Sequence, residues 1–498
     1  MQRHPLAPLP ARAGRSLSAF VLLLASACAM NPVSGRPELT LVSEAKEREL
    51  GEAEARKVAE TMGLVDDPAL ATYVRAVGER LARFSPRDIP YSFQVVDMEE
   101  PNAFALPGGW VYVSRGLLAL TNGEDELAGV LGHEIGHIAA RHAVRRVTRA
   151  APLAVLTGLG AAVTGIASPT LGSAVRGVGG LANALVLAPY SRDQEHEADR
   201  IGQELTAKAG WDPAGISRAL QTLEREQALN AAAPRAMSFF ATHPPLPHRV
   251  ADTEERAREL TRGAGAPIAP DRADFLRRLE GLPVGPRAAD GVFEGETFLH
   301  PALGFHVRFP AGWKTVNQRA LVGATAGEGG AAVALQLAGE GNDPMAALRA
   351  LEKETGADLA SGAERLTIGG LPAVRVTARA RTREGPLALD LTWIAYAERV
   401  YLITGASPPT GADALRPVFR ETVASFGPLT ADERARIREA RLHLVAARAG
   451  EMLAALLERA KGTWSVEMAA VANGLDAAAP LRRGKLVKVP VAEPYAPR

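Results

Sequence analysis

The chain predicts a mainly α N-terminal domain with a small edge sheet, then an α+β domain, then a small β-α-α-β module. Three observations predict this. Apolar residues recur at helical spacing between residues 67 and 139, and helix-forming sequence resumes after 191. Alternation of period two runs from about 305 to 404. The segment 440–492 resembles a known small module of strand, helix, helix and strand. A length of 498 residues suits several domains, each burying its own core.

The elements follow in order. Arg3, Arg12 and Arg15 precede an apolar run, Leu17 to Leu24, and then Ala25-Ser26-Ala27-Cys28. Residues 1–27 therefore read as a secretory signal peptide with a small-residue cleavage site. Cys28 is the only cysteine, which excludes an intrachain disulfide. Asn31 to Arg36 leads into helices. Ser43 caps one running to about Thr61, and Asp67-Pro68 starts another with Leu70, Tyr73, Val74, Val77 and Leu81 on one face. Pro107-Gly108-Gly109 is a turn signal.

The next helix carries the most informative residues. Thr121-Asn122-Gly123-Glu124-Asp125-Glu126 reads as its start, with a capping side chain and then acids in the first turn. Leu127, Val130, Leu131, Ile135 and Ile138 give it a buried stripe. Within it stands His133-Glu134-Ile135-Gly136-His137, an H-E-x-x-H motif. Histidines four apart leave one helix face and can grip one metal ion, with Glu134 placed to act on a water bound there. His142 lies about 900° of helix rotation beyond His133 and reads as a surface residue.

A catalytic zinc normally takes three protein ligands. The third is sought in Ser191 to Asp199. Glu195 and Asp199 share a helix face, so one can bind metal while the other holds a ligand histidine by its second nitrogen. Glu197 is rotated about 200° from Glu195 and points elsewhere, as does His196.

H-E-I-G-H, S-R-D-Q-E-H-E-A-D-R-I-G and Asn102 to Val113 together resemble gluzincin proteases of the HtpX and CAAX-prenyl-protease type, especially their periplasmic BepA- and LoiP-like members. The resemblance covers roughly residues 30 to 260. It implies a zincin-type metalloprotease domain over 28–262, with one zinc ion bound by His133, His137 and Glu195. Glu134 is then the catalytic base and Asp199 the acid behind the ligands. The N-A-F-A-L-P-G-G stretch matches a strand beside the metal helix, an edge that would hold an extended peptide by main-chain hydrogen bonds. Thr242 to Arg249 resembles the family segment that closes over the zinc. By that resemblance His243 either takes the open zinc position at rest or donates to the transition state, and Arg249 stabilises the oxyanion. His248 has no counterpart.

Cys28 resembles a bacterial lipoprotein acceptor, although Ala25 stands where leucine is usual. Ala29 after it favours the outer membrane by family analogy, with the protein on the periplasmic face. Loss of residues 1–27 removes three arginines and no acids, taking the formal charge from +1 to −2. That balance, with 5% aromatics, gives no support for nucleic acid as a partner.

Ala151 to Pro189 is rich in Ala, Gly, Leu and Val, and its punctuation by proline and glycine favours a lid of short helices over the cleft. A membrane-dipping segment is the alternative. Residues 263–291 read as a linker holding a short helix, Asp271 to Leu279. The α+β domain spans 292–428, with strands at Phe305 to Pro310, Ala331 to Leu337, Ala373 to Ala378, Leu387 to Tyr396 and Val400 to Thr404. Helices at Pro344 to Thr355 and Ala412 to Ser425 complete it. G-F-H-V-R-F-P-A-G-W looks like the opening of a PsbP-like sandwich, and His300 and His306 lack partners in sequence. The final segment resembles a LysM module, which places Asn473 and Gly474 near a glycan-binding surface, with Trp464 stacking on sugar or lying in the core.

The family resemblance implies a zinc-dependent endopeptidase of the bacterial cell envelope. Its substrates are unfolded or misassembled envelope proteins, its membrane contact a lipid on Cys28, and peptidoglycan a partner for the LysM-like module. Three domains' worth of other chain keep a second reading open, a latched and mostly non-proteolytic assembly factor or scaffold.

Overall fold

The computed structural model describes residues 28–30, 33, 35, 37–39, 42–146, 189–231, 237–327, 330–382 and 385–496. The signal segment 1–27 lies outside them, and so does all but the last residue of the Ala151–Pro189 lid. No helix among the described residues is long and apolar enough to cross a membrane.

The N-terminal part begins with a two-stranded ladder, β1 (Cys28–Met30) and β2 (Pro37–Leu39). Helix α1 (Glu44–Thr61) is capped by Ser43 and α2 (Pro68–Ala82) by Asp67 with proline at the first turn, as their sequences predict. Strands β3 (Ser92–Val96), β4 (Ala103–Leu106) and β5 (Trp110–Ser114) form a sheet in the order β3-β5-β4. β4 is therefore a terminal strand, and it packs beside the metal helix. Helices α3 (Arg115–Leu120), α4 (Glu124–Ala139), α5 (Arg192–Lys208), α6 (Gly215–Leu229), α7 (Phe239–Thr242) and α8 (Arg249–Glu259) follow.

One detail of α4 differs from expectation. Its N-cap is Gly123, with no side-chain cap; Glu126 instead reaches back to accept from Asn122 N at 2.8 Å. Glu124 in the same turn accepts from Tyr73 Oη (2.6 Å), Trp211 Nε1 (2.7 Å) and Ile268 N (2.6 Å). A carboxylate suits a helix N-terminus, and this one ties α4 to three neighbouring segments.

The segment expected as a linker is packed, not free. Helix α9 (Arg272–Arg277) and its flanks bury Phe275, Leu276, Leu279 and Leu282 in the same core as Leu127, Leu131, Ile135 and Ile201. The apolar residues of 263–291 are scattered among glycines and prolines, so no sustained period in the sequence announces this packing.

The α+β region holds β6 (Val292–Glu294), β7 (Thr297–His300), β8 (Phe305–Arg308), β9 (Lys314–Gln318), β10 (Leu321–Thr325), β11 (Ala332–Glu340), α10 (Pro344–Thr355), β12 (Glu364–Ile368), β13 (Leu371–Thr382), β14 (Gly385–Tyr396), β15 (Arg399–Ser407), α11 (Ala412–Ala424) and β16 (Gly427–Pro428). Seven strands form an antiparallel sheet in the order β12-β13-β14-β15-β11-β10-β9, and four form β16-β8-β7-β6. The strands with clear alternation in sequence are all present. Short or largely exposed strands such as β6 and β9 carry no such signal. His306 is not without a partner: its Nδ1 lies 2.9 Å from Glu433 Oε2. His300 Nδ1 accepts from Leu303 N at 3.3 Å.

After α12 (Ala431–Arg436) come β17 (Arg438–Ala446), α13 (Leu453–Ala460), α14 (Val466–Asn473) and β18 (Leu486–Pro494). β17 and β18 pair antiparallel from Arg438↔Pro494 to Ala446↔Leu486, so the β-α-α-β order is the expected one. Of the two residues expected near a glycan-binding surface, Gly474 is exposed and Asn473 is not. Asn473 is buried, its Oδ1 accepts from Lys488 N and its Nδ2 donates to the Ala469 and Lys488 carbonyls. Trp464 is half-buried against the core.

Candidate metal centre

Two helices make the site because their backbones nearly touch. A Cβ on Gly132 would meet the Gly202 carbonyl oxygen at 2.9 Å, and one on Gly202 would meet His133 N at 2.6 Å. Only glycine permits that approach of α4 to α5. Ser191 and Gln194 form a reciprocal capping box that fixes where α5 starts, so Glu195 enters in its first turn. The close approach then sets Glu195 beside His133 and His137.

His133 Nε2 stands 3.0 Å from His137 Nε2 and 3.2 Å from His243 Nδ1. Glu195 Oε1 lies 3.1 Å from His243 Nδ1 and 3.4 Å from His137 Nε2. One donor atom from each of His133, His137, Glu195 and His243 falls within 4.8 Å of the others, and all four residues are buried. Imidazole nitrogens facing one another cannot all be satisfied by each other's lone pairs. A cation at their common focus satisfies them, and three nitrogens with one carboxylate form a donor set of the kind zinc takes. Glu134 is fully buried beside them, its Oε1 3.4 Å from His243 Nε2, and neither carboxylate oxygen makes a hydrogen bond among the described residues.

The outer nitrogens are held too. Asp199 Oδ1 lies 2.8 Å from His133 Nδ1. Asp199 in turn accepts from Arg249 Nε and Nη2, each at 2.8 Å, and Arg249 Nη1 sits 2.8 Å from Glu195 Oε2. His137 Nδ1 is 2.8 Å from His142 Nδ1, and His142 Nε2 is 3.1 Å from Glu197 Oε2. With Nε2 of His137 turned to the metal, its Nδ1–H donates to His142, which donates to Glu197.

The electrostatics follow the geometry. Burial pushes the Glu134 carboxyl upward, against the pull of His243 and His133. Burial would raise Asp199 as well, but Arg249 and then His133 hold it down at about 2. Glu195 is kept well below the usual range despite its burial, by His243 and by hydrogen bonds from His137 and His243. Burial and then His133 keep His137 neutral, the form a metal needs.

The model of peptidase family M48 matches residues 68–257. Metalloprotease YcaL of Escherichia coli K12 is 30% identical over 187 residues, 38% of this chain and 68% of that protein. The chain belongs to peptidase family M48. The beta-barrel assembly-enhancing protease of Yersinia pestis is 33% identical over 221 residues, 43% of this chain and 44% of its own. A mitochondrial metalloendopeptidase of Schizosaccharomyces pombe, OMA1, is 32% identical over 229 residues, 45% and 65% of the two chains. The chain thus spans less than half the length of the beta-barrel assembly-enhancing protease it matches.

Within the M48 match the structure brings together His133, Glu134, His137, Glu195, Asp199, His243 and Arg249. His196 and His248 are exposed and take no part. One sequence reading is corrected. His142 is buried, not on the surface, because α4 stops at Ala139 and Arg141 adopts φ +54°, which swings the chain back under His137. A rotation count holds only while the helix continues. The guanidinium of Arg249, expected at the oxyanion, pairs with two buried carboxylates, Glu195 and Asp199. Two aromatics were missed. Tyr190 stacks on His137 at 3.7 Å between centroids, and Phe239 stacks on His243 at 4.4 Å. Their signal was only adjacency: one residue before the α5 cap and four before His243.

Proposed function

We propose that the chain is a zinc-dependent endopeptidase of the bacterial cell envelope that cleaves misfolded or stalled envelope proteins. The observation that carries this reading is the convergence of His133, His137, Glu195 and His243 beside a buried Glu134. Zinc held there supplies Lewis-acid polarisation and a water of lowered pKa. Glu134, raised by burial and within the same chamber, takes the proton of the attacking water and returns it to the leaving amine. Arg249 and Asp199 keep Glu195 and His133 in place through that exchange. Terminal strand β4, beside α4, is the edge on which an extended polypeptide would lie, a sequence-tolerant mode suited to unfolded chains. Lipid attachment at Cys28 is the anchoring route this reading assigns, on the outer membrane's periplasmic face; the apolar run before the sole cysteine supports it.

The test is direct. Zinc-loaded full-length protein should cut an unfolded outer-membrane polypeptide, stop on chelation and resume when zinc is restored. No cleavage with zinc bound, in the wild type and in the variant below alike, would overturn the reading.

A second reading, the latched assembly factor, is favoured by one observation: His243 stands among the donors, stacked on Phe239. With a metal held by His133, His137 and Glu195, the His243 imidazole would take the place of the water that does the chemistry. His243→Ala should then raise basal cleavage several-fold and hasten self-cleavage at unchanged zinc content. A fall in turnover with zinc retained would assign the ring to the reaction instead.

A further inference from the structure

Helix α3 is six residues long and feeds, through Thr121 to Gly123, directly into the metal helix α4. The C-terminal module reaches both its ends, through Asp97 and Arg287 at the start and directly at the other. At the start of α3, Arg115 Nε donates to Asp97 Oδ1 at 2.6 Å. Asp97 Oδ2 accepts from Arg287 Nη1 at 2.6 Å, and Arg287 Nε donates to Glu439 Oε1 on β17 at 3.0 Å. At the other end, Lys488 of β18 donates from Nζ to the carbonyl oxygens of Ala119 and Thr121, each at 2.7 Å.

Lys488 is 0% exposed. Burial disfavours its charged form, and in either form its N–H groups need acceptors, which the carbonyls at the end of α3 supply. Its own backbone is fixed by Asn473, which bonds both its N–H and its carbonyl. Leu442 of β17 and Ala472 of α14 join the core that holds Leu127 and Leu131 of α4. A module that works on its own has no use for a lysine sealed inside its neighbour.

We infer that the C-terminal β-α-α-β module is an intramolecular clamp on α3, and that Lys488 and Glu439 are positioning residues for the metal helix. The module thereby sets the entry of α4, and through it the pitch at which His133 and His137 meet Glu195. Only the zinc and turnover readouts of its test rest on the function proposed above.

Lys488→Met in the full chain keeps the stem and removes the donors. Amides of 117–130 should exchange with solvent about tenfold faster or more, the scale of leaving buried carbonyls without their hydrogen bonds. Exchange across 292–428 should stay as in the wild type. Zinc should pass to a chelator faster, and kcat should fall with KM unchanged. Glu439→Gln, isosteric and acting at the opposite end of α3, carries the same expectation should the first variant fail to accumulate. Faster exchange confined to 438–494, with 117–130 unaltered, would overturn the clamp. Exchange needs neither zinc nor catalysis, so that result is distinct from a wild type that binds zinc and cuts nothing.

Discussion

Glu134→Gln is expected to lower peptide cleavage by about 10²–10⁴-fold or more while zinc binding and fold are retained. The amide matches the carboxylate in shape but cannot accept a proton and return it. Structural harm is not expected, because Glu134 is fully buried with no hydrogen bond to lose among the described residues. Burial already disfavours its charged form, so a neutral amide there leaves stability unchanged or raises it. Metal analysis, thermal unfolding and cleavage of an unfolded substrate check the three parts. Retained cleavage would remove Glu134 from the chemistry. Lost cleavage together with lost zinc would make it a structural residue of the donor cluster.

Arg249→Gln should cost about 3–5 kcal/mol of stability in the metal-free protein, the scale for removing one partner of a buried ion pair. Arg249 is 2% exposed, and Asp199 and Glu195, both buried, have it as their shared cation. Its loss strands Asp199, whose ionised form it holds, and takes a cation from the side of Glu195, which His243 and His137 still support. Zinc should restore part of the loss, because a cation returns to the side of Glu195. Denaturant unfolding with and without zinc gives both numbers. An arginine serving mainly as an oxyanion donor predicts the opposite pattern: stability within about 0.5 kcal/mol of the wild type and a fall in kcat alone. That pattern would assign Arg249 to the oxyanion instead.

The contrast between these residues shows where sequence suffices. H-E-x-x-H, the acid pair Glu195 and Asp199, and the capping residues Ser43, Asp67 and Ser191 were legible because each acts within one or two helical turns, where spacing alone fixes geometry. Strong alternation located β13, β14 and β15 for the same reason. The approach of α4 to α5 was half legible: the glycines were visible in the sequence, but the carbonyls they admit were not.

What only the tertiary structure decided depends on contacts between distant segments. Arg249 meets Asp199 across 50 residues, and Lys488 meets Ala119 across 369. No periodicity encodes such a pairing. His142 failed for a related reason, since a single left-handed residue, Arg141, ended the helix whose rotation the count assumed. The sequence by itself located the histidine pair, Glu134 and the acid pair Glu195 and Asp199 on α4 and α5, because helical geometry is local. The tertiary structure decided which cation balances the acids, which module grips α3 and which histidine stands behind His137. Those outcomes follow from burying charge at low dielectric, where every unpaired group must find a partner wherever in the chain it lies.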